Sequence, residues 1–104
     1  MAVRLALLKS GEEVVADIKE ARENDTDDVV YYILKNPYRV EIIDSQRQVL
    51  NEEGESQTSQ KEMYFSPWIP LSKDKEIPVK PDWVVTIVEP YDEVAKTYTE
   101  KVGV

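Results

Sequence analysis

Apolar and polar positions alternate with a period of two from the start of the chain. Val3, Leu5 and Leu7 are interleaved with Arg4, Ala6 and Leu8, the spacing of a β-strand with two distinct faces. Ser10-Gly11 interrupts the run, and Gly11 can take a positive φ without a Cβ penalty. Val14, Ala16 and Ile18 then alternate with Val15, Asp17 and Lys19, so residues 2–8 and 13–20 are expected to form a hairpin. Ala16 supplies little bulk, as the inside of a strongly curved sheet requires.

An acidic connection, EARENDTDD, spans 20–28. Beyond it Tyr31, Ile33, Tyr38, Val40 and Ile42 predict a long third strand over about 28–43. Asn36-Pro37 interrupts it, and a proline that cannot donate to a ladder marks a bulge, bend or edge. The polar segment 44–61 has almost no periodicity and predicts a mobile loop. Met63 to Leu71 resumes strand character over 62–71, with Pro67 and Pro70 pointing to an edge or a bulge. Trp83 to Val88 predicts a last strand, apolar on both faces.

After that strand the period changes. Tyr91, Val94, Ala95, Tyr98 and Val102 recur at helical spacing. Pro90 suits a first helical turn, Asp92 and Glu93 favour the positive end, Lys101 the negative end, and Gly103 a stop. A helix is expected over about 90–102. The sum is one domain over 1–104: five antiparallel strands, strongly bent into a small SH3-like barrel, and a C-terminal helix.

Composition narrows what such a domain does. The 104 residues carry 21 acids against 13 bases, a formal charge of −8, and neither Cys nor His. Thiol nucleophiles, imidazole bases, thiolate zinc sites and disulfides are therefore excluded. No nucleophile with an activating base and no glycine-rich phosphate loop is visible among three glycines. The expectation is a non-enzymatic protein without a cofactor. No apolar run is long enough to span a bilayer and no signal peptide is recognisable, so a cytoplasmic protein without a membrane partner is expected.

Eight of the acids, against Lys19 and Arg22, fall within 12–28. Asn24, Asp25, Asp27 and Asp28 are hard oxygen donors, but the glycine and distal glutamate of a calcium loop are missing. A solvated acidic turn with no metal is the expectation.

Leu8, Gly11, Val14 and Ile18 sit at the spacing of the first Sm motif, and Asp28 before Val29-Val30 is similar to the place where that motif ends. The segment resembles the start of an Sm-like (LSm) barrel. The wider chain, with its acidic character and its Trp-Pro and Trp-Val-Val segments, resembles Sm-like proteins of cyanophages and marine metagenomes. The resemblance implies a homo-oligomeric ring of five to seven copies that binds RNA. It places Asn24 and Asp28 at a degenerate uridine site, with charge from Lys73, Lys75 and Lys80. The aromatic side chains Tyr31, Tyr32, Tyr38 and Trp68 are available to stack on bases.

Three departures limit that implication. Ala16 stands where the family prefers glycine, the Ile-Arg-Gly turn before the last strand is absent, and the helix is C-terminal. The net charge also opposes unspecific polyanion binding. The alternative is a structural or protein-interaction ring, partnered by a phage or host protein, in a bacterial or phage-infected cell. Physics supports a ring in either case. The proline-rich fourth strand and the apolar last strand are edges that a monomer leaves wet. Phe65, Trp68, Ile69, Trp83, Val85 and Ile87 are the expected interface side chains, and head-to-tail pairing of the two edges closes a ring.

Overall fold

The computed structural model describes residues 2–49 and 56–103. Strands β1 (Val3–Leu8) and β2 (Glu13–Arg22) form the expected hairpin, with Leu5 opposite Val15. Gly11 turns the chain at φ +88°, its N–H donating to the Leu8 carbonyl at 2.9 Å. Strand β3 (Val29–Val49) pairs with β2, and its far half pairs with β4 (Ser56–Pro67). Strand β5 (Glu76–Val79) lies beside the near half of β3, and β6 (Val84–Val88) lies beside β1. The result is one antiparallel six-stranded sheet in the order β4-β3-β2-β1-β6, with β5 on β3.

The sheet bends around small side chains. Ala6, Leu8, Val14, Ala16, Ile18, Leu34 and Val79 form the buried core, with Tyr32, Trp68, Val84 and Ile87 packed against it. Ala16 is wholly buried, so the tight interior that needs a small residue there is real. Helix α1 (Asp92–Val102) covers the opposite face of the sheet. There Val15 and Tyr98 are fully buried, and the Tyr38 and Tyr98 rings meet edge-on at 6.1 Å. The helix ends where Gly103 adopts φ +78° and donates to the Thr99 carbonyl.

Asn36-Pro37 makes the bulge expected of it. Val15 faces Tyr38 and Asp17 faces Lys35, so β3 carries one residue more than β2 across this step. Asn36 takes φ +50°, a conformation that asparagine tolerates better than most residues. Its N–H donates to the Lys75 carbonyl at 2.7 Å, and the Pro37 carbonyl accepts from the Trp68 N–H at 3.0 Å.

Several boundaries differ from the pattern-based reading. Much of the expected loop 44–61 is paired strand: Asp44 faces Lys61 and Val49 faces Ser56, while 50–55 lie outside the described residues. Its polar sequence shows no hydrophobic alternation, and its pairing continues the register of the apolar pairs Ile42–Met63 and Val40–Phe65. Strand β2 stops at Glu13, opposite Val40, so β3 and β4 continue as an arm. The molecule measures 70 × 27 × 26 Å with a radius of gyration of 17.6 Å, against about 13 Å for a compact chain of this length.

The expected strand 62–71 ends at Pro67, because Trp68 turns its N–H to Pro37. Between it and the last strand lies β5, whose Pro78 faces Ile33 from an edge position. The last strand starts at Val84, after a 3-10 turn over Pro81–Trp83, and the helix starts at Asp92, two residues past Pro90.

Candidate nucleic-acid interface and assembly edges

The acidic turn between β2 and β3 is organised by Arg22. Its guanidinium pairs with Glu20, donates to the Asp27 carbonyl at 2.8 Å, and lies 3.9 Å from the Asp27 carboxylate. The hydrogen bond to Glu20, and then the Glu20 charge, raise the Arg22 pKa further. The backbone closes on itself: Asp27 N–H donates to the Glu23 carbonyl and Glu23 N–H to the Asp28 carbonyl, both at 2.9 Å. Asp27 sits at φ +58°. Arg22 is thus committed to its own turn rather than offered to a phosphate. Sequence spacing did not single it out.

Asn24 and Asp28 lie exposed on this turn. Lys80 is also at this end of the sheet, because it follows Val79, whose partner is Tyr32, four residues past Asp28. Tyr31, 41% exposed, lies on the same stretch. Lys73 and Lys75 are not there. The Lys75 carbonyl holds Asn36, and β5 runs from Glu76 opposite Lys35 to Val79 opposite Tyr32. Strand β5 therefore separates Lys75 from Lys80 by about 17 Å at the usual strand rise. The expected three-lysine cluster is corrected to one lysine beside the acidic turn. The three lysines are close in sequence, but strand β5 runs between Lys75 and Lys80.

The assembly residues divide as well. Among the described residues β4 pairs only with β3, and β6 only with β1. Both outer edges of the sheet are thus open. Ile69, Trp83 and Val85 are exposed beside them. Trp68 and Ile87 instead lean on the core of their own chain. Phe65 is half-buried beneath the Lys101 ammonium, 6.0 Å from the ring centroid, within cation–π reach. On the other edge Arg4 pairs with Glu89.

On the helix side of the sheet an apolar groove of about 420 Å³ runs between α1 and the root of the arm. Leu5, Val40, Ile42, Met63, Val88 and Val94 line it, together with Glu13, Glu89 and this chain's own Pro90 and Tyr91. Among the described residues no group of three carboxylates converges as a metal site would require, and no helix is long and apolar enough to cross a membrane.

Comparison with known proteins agrees with this architecture. No curated protein matches the chain. A family model described as the Sm_like domain matches residues 6–99, from the second half of β1 through β2 to β6 and most of the helix. The chain belongs to the Sm-like family.

Proposed function

We propose that the protein is a non-enzymatic, ring-forming Sm-like protein in which β4 of one copy pairs with β6 of the next. The observation that carries this reading is the pair of open edges at opposite ends of one sheet. Each presents unpaired backbone groups, and each is flanked by exposed apolar side chains, Ile69 on one and Val85 on the other. A soluble monomer blunts such edges, whereas head-to-tail pairing satisfies both at once. The family habit of forming rings supports the same arrangement, with five to seven copies. Size-exclusion chromatography with light scattering tests it. A single species of at least five chain masses is expected, and a monomer at micromolar concentration would overturn the proposal.

What the ring serves follows from its charge. An acidic ring whose turn arginine is already paired makes a poor polyanion trap, which favours a structural or protein-binding role. The likeness to cyanophage proteins supports a phage-infected bacterial cytoplasm as the setting. A second reading is favoured by the placement of Asn24, Asp28, Tyr31 and Lys80 at one end of the sheet. In it a base stacks on Tyr31 while Lys80 meets a phosphate, a reduced form of the RNA site usual in this family. Fluorescence anisotropy with uridine-rich RNA at low salt separates the readings: saturable binding supports the second, and no change at high protein concentration removes it.

A further inference from the structure

Shortly after β4 the chain holds one apolar side chain almost wholly in water. Ile69-Pro70-Leu71-Ser72 forms a turn closed by the Ser72 N–H donating to the Ile69 carbonyl at 3.1 Å. Proline at the second position presets such a turn. The Asp74 N–H, bonded to the Ser72 Oγ at 3.0 Å, fixes the chain beyond it. Leu71 stands at the apex and is 98% exposed, the most exposed of the large apolar side chains whose burial is described. Lys73 and Lys75 follow, with Asp74 between them, so this segment carries net positive charge in a chain of charge −8. Among the described residues neither lysine is in an ion pair.

The groove beside α1 complements that turn. At about 420 Å³ it has room for several side chains, and its walls are apolar from Met63 and Val40 to Leu5 and Val88. Among the described residues the only charged side chains lining it are Glu13 and Glu89. Glu89 is paired with Arg4, whereas Glu13 is exposed and in no ion pair among the described residues. Asp92 and Glu93 follow directly on Tyr91 and add to the negative charge at this end. An apolar slot beside a free carboxylate suits an apolar side chain with a cation close by. Lys73 is two residues from Leu71, a reach of at most about 7 Å along the chain. The chain's own Leu71, almost fully in water, is not in the groove.

We infer that the Ile69–Lys73 turn of one copy docks in the groove of the next, with Leu71 between its apolar walls and Lys73 meeting Glu13. The turn follows β4, and the groove reaches Val88 at the end of β6, so the contact joins the same two sides of the molecule as the edge ladder. It is heterologous, the kind of contact that closes a ring by rotation. A turn already held by hydrogen bonds loses little entropy when it is buried. Positive turn and negative groove favour this pairing over turn against turn or groove against groove. This inference rests on the head-to-tail ring proposed above, and it adds side chains that backbone pairing alone does not involve.

Light scattering across a dilution series reads the concentration at half-assembly. Leu71, Lys73 and Glu13 are all exposed in the isolated chain, so their variants should keep the monomer fold, checked by far-UV circular dichroism. Leu71→Asp is expected to raise the midpoint about ten-fold or more, the loss of a buried leucine side chain. Glu13→Lys and Lys73→Glu should each raise it about three-fold or more, as for a coupled pair. General repulsion predicts the opposite for Glu13→Lys, which makes the chain less acidic. The double variant Glu13→Lys/Lys73→Glu keeps the charge of −8 and should return the midpoint toward wild type. A wild-type ring whose midpoint Leu71→Asp leaves unchanged would overturn the docking and leave the β4–β6 ring standing. Tighter assembly of Glu13→Lys, or no recovery in the double variant, would also overturn it. A wild-type monomer at micromolar concentration would overturn docking and ring together.

Discussion

The Tyr98 hydroxyl donates to the Lys35 carbonyl at 2.7 Å, joining the last element of the chain to the bulge in its longest strand. The same oxygen accepts from the Asp17 N–H at 3.1 Å. Asp17 and Lys35 are the β2–β3 pair at which the extra residue shifts the ladder. Their freed backbone groups would otherwise lie buried and unpaired under the helix. One phenol thus closes the gap that Asn36-Pro37 opens, which explains why the helix docks at this point.

Tyr98→Phe keeps the ring and its contact with Tyr38 but leaves both backbone groups without a partner. A loss of about 1–3 kcal/mol is expected from an unsatisfied buried polar group. Urea unfolding should show a lower midpoint at an unchanged slope. Far-UV circular dichroism of the unperturbed fold should match wild type.

The same site predicts a pH dependence. Burial, offset in part by the Asp17 N–H and reinforced by the Asp17 charge and Tyr38, raises the Tyr98 pKa above its ordinary value of 10.0. The folded state therefore holds the phenolic proton more tightly than the unfolded chain. The associated stability is fully present below the unfolded pKa and is lost as pH rises through the folded one. Wild-type stability should decline more steeply than that of Tyr98→Phe once pH exceeds about 10, the unperturbed tyrosine value. Parallel melting-temperature curves for the two proteins across that range would contradict the assignment.

At the bulge itself, Asn36 at φ +50° predicts an ordering of substitutions. Asn36→Gly should be close to neutral, whereas Asn36→Ala should cost about 1 kcal/mol, because alanine keeps the Cβ but loses the short polar side chain that lets asparagine tolerate the left-handed region. Thermal unfolding of the three proteins gives the order directly, and an alanine variant as stable as the glycine one would refute it.

These elements also show what could be read from the chain alone. Leu8, Gly11, Val14 and Ile18 form a local pattern, and hairpin, bulge and helix all follow from short-range rules of period, turn chemistry and capping. The arm was hidden because its run of Ser, Thr, Gln and charged residues carries no hydrophobic alternation. Strand β5 was hidden because four residues, one of them Pro78, are too short to show a period. At the candidate site, the pairing of Arg22 with Glu20 and the Asp27 carbonyl leaves no mark in residue spacing. The lysines looked clustered because sequence distance ignores the strand between them. Spacing along the chain reveals faces; it does not reveal which charges are already spent.

The open edge of β6 makes a prediction about assembly. Val85 is 59% exposed and falls where the β1–β6 register skips between Leu8–Val84 and Leu7–Thr86. A lysine there lies in water in an isolated chain but is buried against the neighbour in a ring. Val85→Lys should therefore yield monomers or partial rings by light scattering while retaining wild-type monomer secondary structure. An intact ring would mean that β6 is not the paired edge.

The RNA reading is decided by which lysine matters. Lys80 stands with Asn24, Asp28 and Tyr31, while Lys73 and Lys75 stand at the other end of β5. Binding of uridine-rich RNA through this end should weaken on Lys80→Ala, and the slope of log affinity against log salt should fall by about 0.7 for a single-strand phosphate contact. Tyr31→Ala should remove about 1–3 kcal/mol if a base stacks on the ring. Lys73→Ala/Lys75→Ala should leave both quantities unchanged. Equal losses for all three lysines would instead mean diffuse attraction to the surface, with no site at the acidic turn. Wild-type protein that binds no RNA leaves the ring with a structural or protein-binding role, the outcome that the paired Arg22 and the charge of −8 favour.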